Sequence, residues 1–292
     1  MKAPSPDIYH DIPFKVYRQW EAINFSSLKS MAVSPKQYKY DLEHPQDKQC
    51  FKIGRAMHTF VLEPHLVAES YVRAPLFKTK KGDVAKNQGN TTEYKEFAEK
   101  VHSEGKEILS EDEYHQVEMM RDTALEIDTH VLEYLKDGFS EMCCVWRDPV
   151  TGMLCKCRVD HLRGLAILDL KSTRDLSLKG FKRAIKDNFY HVQGSWYGWG
   201  VEQASRQSEN PKQEVIIPEV FNIYGIENHP PYDGDVFSPN IDSMIKGDDL
   251  YRAWLDELKV CMDTDYWPGR FRTGIKIINV TGEYNFLGGN HE

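Results

Sequence analysis

The chain has 292 residues, 40% of them hydrophobic and 28% charged, with a formal net charge of −8. That apolar share excludes wholesale disorder, and the length supports one sizeable core or a core with an appended lobe. The acidic balance speaks against a passive nucleic-acid coat protein, which is usually basic, but not against an enzyme whose basic residues line one groove.

Residues 1–22 read as an irregular or loosely docked arm, with no apolar run of the kind a signal peptide needs. In NFSSLKSMAVSPKQYKY, Ser26 or Ser27 can cap a short helix, and Ser34 before Pro35 starts another that runs to about Tyr40. FKIGRAMHTFVLEP predicts a helix over 51–62. Ile53, Met57, Phe60 and Val61 form its apolar face, His58 sits beside that face, and Pro64 stops it. Residues 73–90 are lysine- and glycine-rich and read as a loop. Helices are expected over 92–103 and 111–136, the second on the recurrence of Val117, Met120, Ala124, Ile127, Val131 and Leu135.

At Gly138 the period changes. FSEMCCVWRD, MLCKCRVDHL and LAILDLKS predict three neighbouring strands, with turns at Asp148-Pro149 and Arg163-Gly164. Phe181, Ile185, Phe189, Val192, Trp196 and Trp199 predict one long helix over 178–207. EVIIPEVFNIYGI follows as a strand bent at Pro218, then a helix over 240–260 and an extended tail containing YWPGRFRTGIKIINV. This order gives an α/β core with a helical N-terminal lobe. No stretch approaches the ~18 apolar residues of a spanning helix, so no membrane association is expected.

Strand alternation places Lys156, Arg158 and Asp160 on one side of their strand, and Ile167, Asp169 and Lys171 on one side of the next. Paired as a hairpin, the two strands bring Asp160 and Asp169 together beside Lys171. Two close carboxylates repel unless a cation lies between them, and hard oxygen donors suit Mg2+ or Mn2+. The Leu170 carbonyl is an extra oxygen between Asp169 and Lys171, and Glu141 on the preceding strand can add a carboxylate, with its register open. Gln193 and Tyr197, four apart, share a helix face and can contact phosphate or fix the lysine. Arg174, Lys179, Lys182, Arg183 and Lys186 form a basic strip able to meet a phosphate backbone. From spacing alone the same residues also read as surface carboxylates, a solvated lysine, a polar helix histidine, packing residues and a charged helix face.

The cysteines are Cys50, Cys143, Cys144, Cys155, Cys157 and Cys261. Their spacing fits neither a disulfide framework nor structural zinc, so they read as buried thiols in a reducing, cytoplasmic interior. There is no P-loop or GxGxxG cradle.

In this order the motifs resemble the PD-(D/E)xK nuclease superfamily, specifically its RecB-like branch and the phage or prophage RecE-type exonucleases. NFSSLKSMAVSPKQYKY resembles the N-terminal helical signature, GRAMHTFVLEP the histidine motif, CRVD and LDLKST the two acids and the lysine, HVQGSWY the Q-x3-Y motif, and YWPG the C-terminal part. The second acid is Asp169 where glutamate is commoner, and the cysteine pattern of the iron–sulfur members is missing. The resemblance implies one nuclease domain over 1–292, mostly helical through 137, with a catalytic restriction-endonuclease-like core over 138–292. It implies metal-site roles for His58, Asp160, Asp169 and the Leu170 carbonyl, and catalytic roles for Asp160, Asp169, Lys171, Gln193 and Tyr197. It further implies Mg2+, replaceable by Mn2+, and 5′-to-3′ digestion of linear double-stranded DNA ends that leaves 3′ tails. A ring-shaped homo-oligomer and a single-strand annealing partner belong to the same implication. The alternatives are a repair or defence endonuclease of the superfamily, an inactive DNA-binding or assembly module, and a hydrolase of small phosphoesters.

Overall fold

The structure, a computed structural model, describes residues 1–45, 49–77, 88–126 and 135–271. Its centre is a six-stranded mixed sheet built from β1 (Asp7–Tyr9), β4 (Phe139–Arg147), β5 (Leu154–Arg163), β6 (Ala166–Thr173), β7 (Val220–Glu227) and β8 (Gly234–Phe237), adjacent in that order. Every neighbouring pair is antiparallel except β6 and β7. A parallel pair needs a crossover, and α8 (Leu178–Asp187) with α9 (Tyr190–Gln207) supplies it.

Helices cover both faces, which is why β5 reads BBBBBBBB along its middle rather than alternating. On one face α8, α9 and α10 (Ile241–Thr264) pack Phe181, Val192, Trp196, Tyr251 and Leu255 against Cys144, Trp146, Cys157 and Val159. Trp146 and Trp196 meet at 4.9 Å between ring centroids, and Gly200 permits the approach, since a Cβ there would lie 2.8 Å from the Trp146 ring. On the other face α4 (Gln49–Leu62) and α7 (Glu111–Glu126) pack Met57, Phe60, Val117 and Met120 against Leu168, Leu170, Tyr224 and Ile226. The apolar stripe expected around His58 is therefore the core side of α4. Beside the main sheet, β2 (Tyr71–Arg73) and β3 (Glu107–Leu109) form a second, parallel pair whose Tyr71 and Leu109 join this core, and α6 (Thr92–Ser103) lies between them in sequence.

Several elements differ from the sequence expectation. The N-terminal arm is ordered: β1 pairs with the edge of β4, and α1 (Phe14–Gln19) follows. The Lys156 ammonium donates to the Tyr17 and Trp20 carbonyls at 2.8 and 2.7 Å, satisfying the free end of α1. Asn24, not Ser26 or Ser27, caps α2 (Phe25–Leu28), accepting from Ser27 N, while Ser34 caps α3 (Pro35–Glu43) as expected. The helix expected over 178–207 is two, broken at Phe189, which takes φ 59. The strand expected from Glu214 begins only at Val220, and the described tail through 271 contains no strand. Residues 127–134 of the expected 111–136 helix, and the tail beyond 271, lie outside the described residues. Among the described residues no helix is long and apolar enough to cross a membrane.

Candidate active site

The site forms where β4, β5 and β6 separate. Val159 and Leu162 both face the α9–α10 core although three residues apart, so β5 loses its alternation at Asp160–His161. Opposite, Glu141 takes φ 53, and the β4–β5 ladder runs through Ser140↔His161 and Met142↔Val159 with no pair at Glu141. The β5–β6 ladder ends at His161↔Leu168. Such a local break re-aims side chains out of the sheet, and a left-handed non-glycine residue persists only when its surroundings hold it there.

Asp160 replaces a ladder bond with its own side chain: Oδ2 accepts from Leu170 N at 2.7 Å. His58, from α4, stands over the gap. Its Nε2 lies 3.1 Å from the Leu170 carbonyl, and its Nδ1 faces Glu141 Oε1 at 3.6 Å and Asp160 Oδ2 at 3.7 Å. On β6 the Lys171 ammonium meets Asp169 Oδ2 at 2.5 Å and lies over the Tyr190 ring at 5.2 Å. Gln193 donates to Asp169 Oδ1 at 3.1 Å and to the Tyr197 hydroxyl at 2.8 Å. The glutamine and tyrosine therefore order Asp169, and the lysine itself touches Asp169, Tyr190 and the Leu170 carbonyl.

Burial pushes the Asp160 carboxyl up, to about 7, with Asp169 and Glu141 adding to the rise and His58 and Lys171 opposing it. Burial works against the His58 imidazolium, but Asp160 and Glu141 beside it outweigh that and raise it to about 9. Burial likewise disfavours charge on Glu141, yet His58 and Arg158 hold it below its ordinary range. Lys171 is raised despite its burial, because Asp169 and Asp160 face it. The cluster thus gathers more carboxylate than its surroundings solvate and balances it with a proton on His58 and the ammonium of Lys171.

These donors fit a divalent cation. One ligand atom from each of His58, Glu141 and Asp160 lies within 4.8 Å of the others. Ligands about 2.1 Å from an octahedral ion stand roughly 3 to 4.2 Å apart, the range of the distances around His58 Nδ1. Among the described residues, Asp169 Oδ2 is buried with the Lys171 ammonium as its sole close donor. Two carboxylates and an imidazole form an oxygen-rich set, whereas Cys144, Cys155 and Cys157 lie in the core across the sheet.

The structure brings together His58, Glu141, Asp160, Asp169, Lys171, Gln193 and Tyr197. The Leu170 carbonyl is also present, engaged by His58 and, at 3.4 Å, by Lys171. Arg174, Lys179, Lys182, Arg183 and Lys186 are all exposed, on α8 and the turn before it, outside this cluster. Sequence reasoning missed Tyr190, three residues before Gln193. It placed Arg158 on the Asp160 side of β5 without a task, though an arginine between Cys157 and Val159 in a buried strand already signals a paired charge.

A family model described as a PDDEXK-like domain of unknown function matches residues 24–274. No curated protein matches the chain. Among solved structures, the crystal structure of a protein from Eubacterium rectale, described as a "Putative exonuclease", is similar with a TM-score of 0.57 at 14% identity, covering 93% of this chain and 97% of that one. At that identity the likeness is one of fold. The family match runs from the cap of α2 past the end of α10 and contains every residue of the cluster. With its mixed sheet and its His–Glu–Asp triad, the chain belongs to the PDDEXK-like family, within the nuclease superfamily of that name.

Proposed function

We propose that the protein is a Mg2+-dependent exodeoxyribonuclease, with Mn2+ as a substitute, that digests the 5′-ended strand from the ends of linear double-stranded DNA and leaves 3′ single-stranded tails for recombination. The observation that carries this reading is the meeting of the His58–Glu141–Asp160 triad with Asp169 and Lys171 at one break in the sheet. His58, Glu141 and Asp160, with Asp169 beside them, would hold a divalent ion, which would supply Lewis acidity toward a phosphate oxygen and lower the pKa of an attacking water.

The chain's own groups do the rest. Lys171 offers a cation to the charge that develops on the phosphate and a donor to the attacking water. Asp169 fixes the direction of that ammonium, Gln193 and Tyr197 fix Asp169, and the Tyr190 ring flanks the lysine. Arg174, Lys179, Lys182, Arg183 and Lys186 follow β6 directly and give a polymeric phosphate substrate a track leading to the site. The likeness in fold to the Eubacterium rectale protein described as a "Putative exonuclease" supports exonucleolytic action. Strand polarity, a ring-shaped homo-oligomer and a single-strand annealing partner rest on the motif resemblance.

End-labelled linear duplex with Mg2+ tests the reading. Nucleotide release from the 5′-labelled end, with covalently closed circles left intact, is the expected result. A chain that releases nothing with Mg2+ or Mn2+ is no nuclease. Cut circles move it to the endonucleases of the superfamily, and release from the 3′ label reverses the polarity.

A further inference from the structure

Arg158 lies two residues before Asp160, 7% exposed, and its guanidinium serves three separate parts of the chain. Nε donates to Glu141 Oε2 on β4. Nη2 reaches Glu63, just past the end of α4, at 3.3 Å. Nη1 donates to the Ile12 carbonyl of the N-terminal arm, and the Phe14 ring lies 5.8 Å from the guanidinium carbon. The Glu141 carboxylate is thereby divided. One oxygen is tied to Arg158, and the other faces His58 Nδ1. Its backbone, at φ 53, is one that an L residue rarely adopts unaided.

We infer that Arg158 is the positioning residue of the metal triad: it turns Glu141 Oε1 into the His58–Asp160 cluster, and the N-terminal arm completes its socket through Ile12 and Phe14. The inference rests on the metal-centre reading above. A planar fork with donors in fixed directions serves Glu141, Glu63 and Ile12 at once, which a lysine's point charge cannot. The competing role is a plain strut joining β5, α4 and the arm, which would support the fold without setting the geometry of the cluster.

Mn2+ titration calorimetry on the full chain, with electron paramagnetic resonance of the bound ion, separates the two. Arg158→Gln is expected to weaken Mn2+ binding by about ten- to hundredfold, as loss of an outer partner does at other metal sites. Glu141→Gln should do the same, and adding Arg158→Gln to Glu141→Gln should weaken binding no further, because the arginine acts through that carboxylate. Arg158→Gln leaves two carboxylates facing each other and can fail to fold. Arg158→Lys keeps the buried charge and carries the same comparison in both Glu141 backgrounds, with a loss of about tenfold expected in the first and none in the second. Wild type that binds no Mn2+ removes the metal-centre reading itself. Wild type that binds, with Arg158→Lys equally tight, overturns the inference alone, as do losses that multiply in the double variant.

Discussion

On one side of the site, the half-buried His58 and Glu141 meet the buried Asp160 as charges held by other charges, with Arg158 and Glu63 behind them. On the other side, Asp169 is ordered by the Gln193 amide, Gln193 is tied to the Tyr197 hydroxyl one turn along α9, and Lys171 rests against Asp169 and an aromatic ring. The first arrangement is stable only when its charges balance, so it must exchange a proton whenever a cation enters. The second is held by an ion pair on β6 and hydrogen bonds from α9, contacts that form without a cation. Holding the cation and acting on the phosphate should therefore come apart under mutation.

The sharpest break uses one variant from each side. Asp160→Asn should lose both Mn2+ binding and nuclease activity, whereas Lys171→Ala should lower kcat by on the order of 10²–10³ while Mn2+ affinity stays close to wild type. Equal losses of Mn2+ affinity in the two variants would show the halves to be one unit. Calorimetry with single-turnover digestion of labelled duplex reads both quantities.

Proton exchange gives the next largest effect. With Asp160 at about 7 and His58 at about 9 in the metal-free protein, both hold protons below neutrality that an incoming cation must displace. Mn2+ affinity should rise with pH by up to about tenfold per unit for each proton displaced. Folding runs the other way. Both groups have folded values above their unfolded ones. The stability that Asp160 contributes is full below the ordinary carboxyl range and lost as pH rises through about 7; that of His58 is full below about 6.5 and lost through about 9. The urea midpoint of the metal-free chain should fall from about pH 6 to about pH 9 while the midpoint gained on adding Mn2+ grows. A Mn2+ gain that shrinks over that range would contradict the charge balance drawn here.

Smaller effects belong to the supports. Gln193→Ala should lower kcat about tenfold by freeing Asp169, and Tyr197→Phe, which keeps the ring but removes the acceptor, should cost less. An unchanged Gln193→Ala would mean that Lys171 alone orders Asp169. Neutralising Lys182 and Lys186 together should leave kcat near wild type, raise KM, and reduce the slope of log affinity against log salt by about 2 if both meet phosphates.

Much of this was legible in the sequence because periodicity reports burial. The three strands β4 to β6 are outlined by alternation, and α4 and α7 by their apolar recurrence, while the metal-site roles of His58 and Asp160 come from the motif resemblance. The break at Phe189 was hidden because apolar residues recur at helical spacing straight through it, so the pattern cannot show that the backbone turns left-handed there. β8 escaped because its ends are half-buried and its middle exposed, which leaves no alternation to read. β1 is three residues long and gets its order from pairing with β4, a partner far along the chain. The aim of Glu141 was undecidable by parity, since its conformation departs from that of a strand. The hairpin argument reached the right neighbours for Asp160 and Asp169, although regular pairing of β5 and β6 stops just before them.

The N-terminal arm is the first part of this sequence to be synthesised and among the last able to dock. Ile12 must wait for Arg158, 146 residues later, and Tyr17 for Lys156, 139 residues later. Closing such separations costs chain entropy before any contact repays it, so the arm is expected to join a sheet whose centre has already formed. Until it does, Lys156 and Arg158 keep their hydration shells, and Glu141 is free to leave the left-handed conformation. Competence to capture a cation should then come late in the life of the chain: during refolding, Mn2+ uptake should lag the fluorescence change of Trp146 closing on Trp196, read in a variant whose other four tryptophans are replaced by phenylalanine.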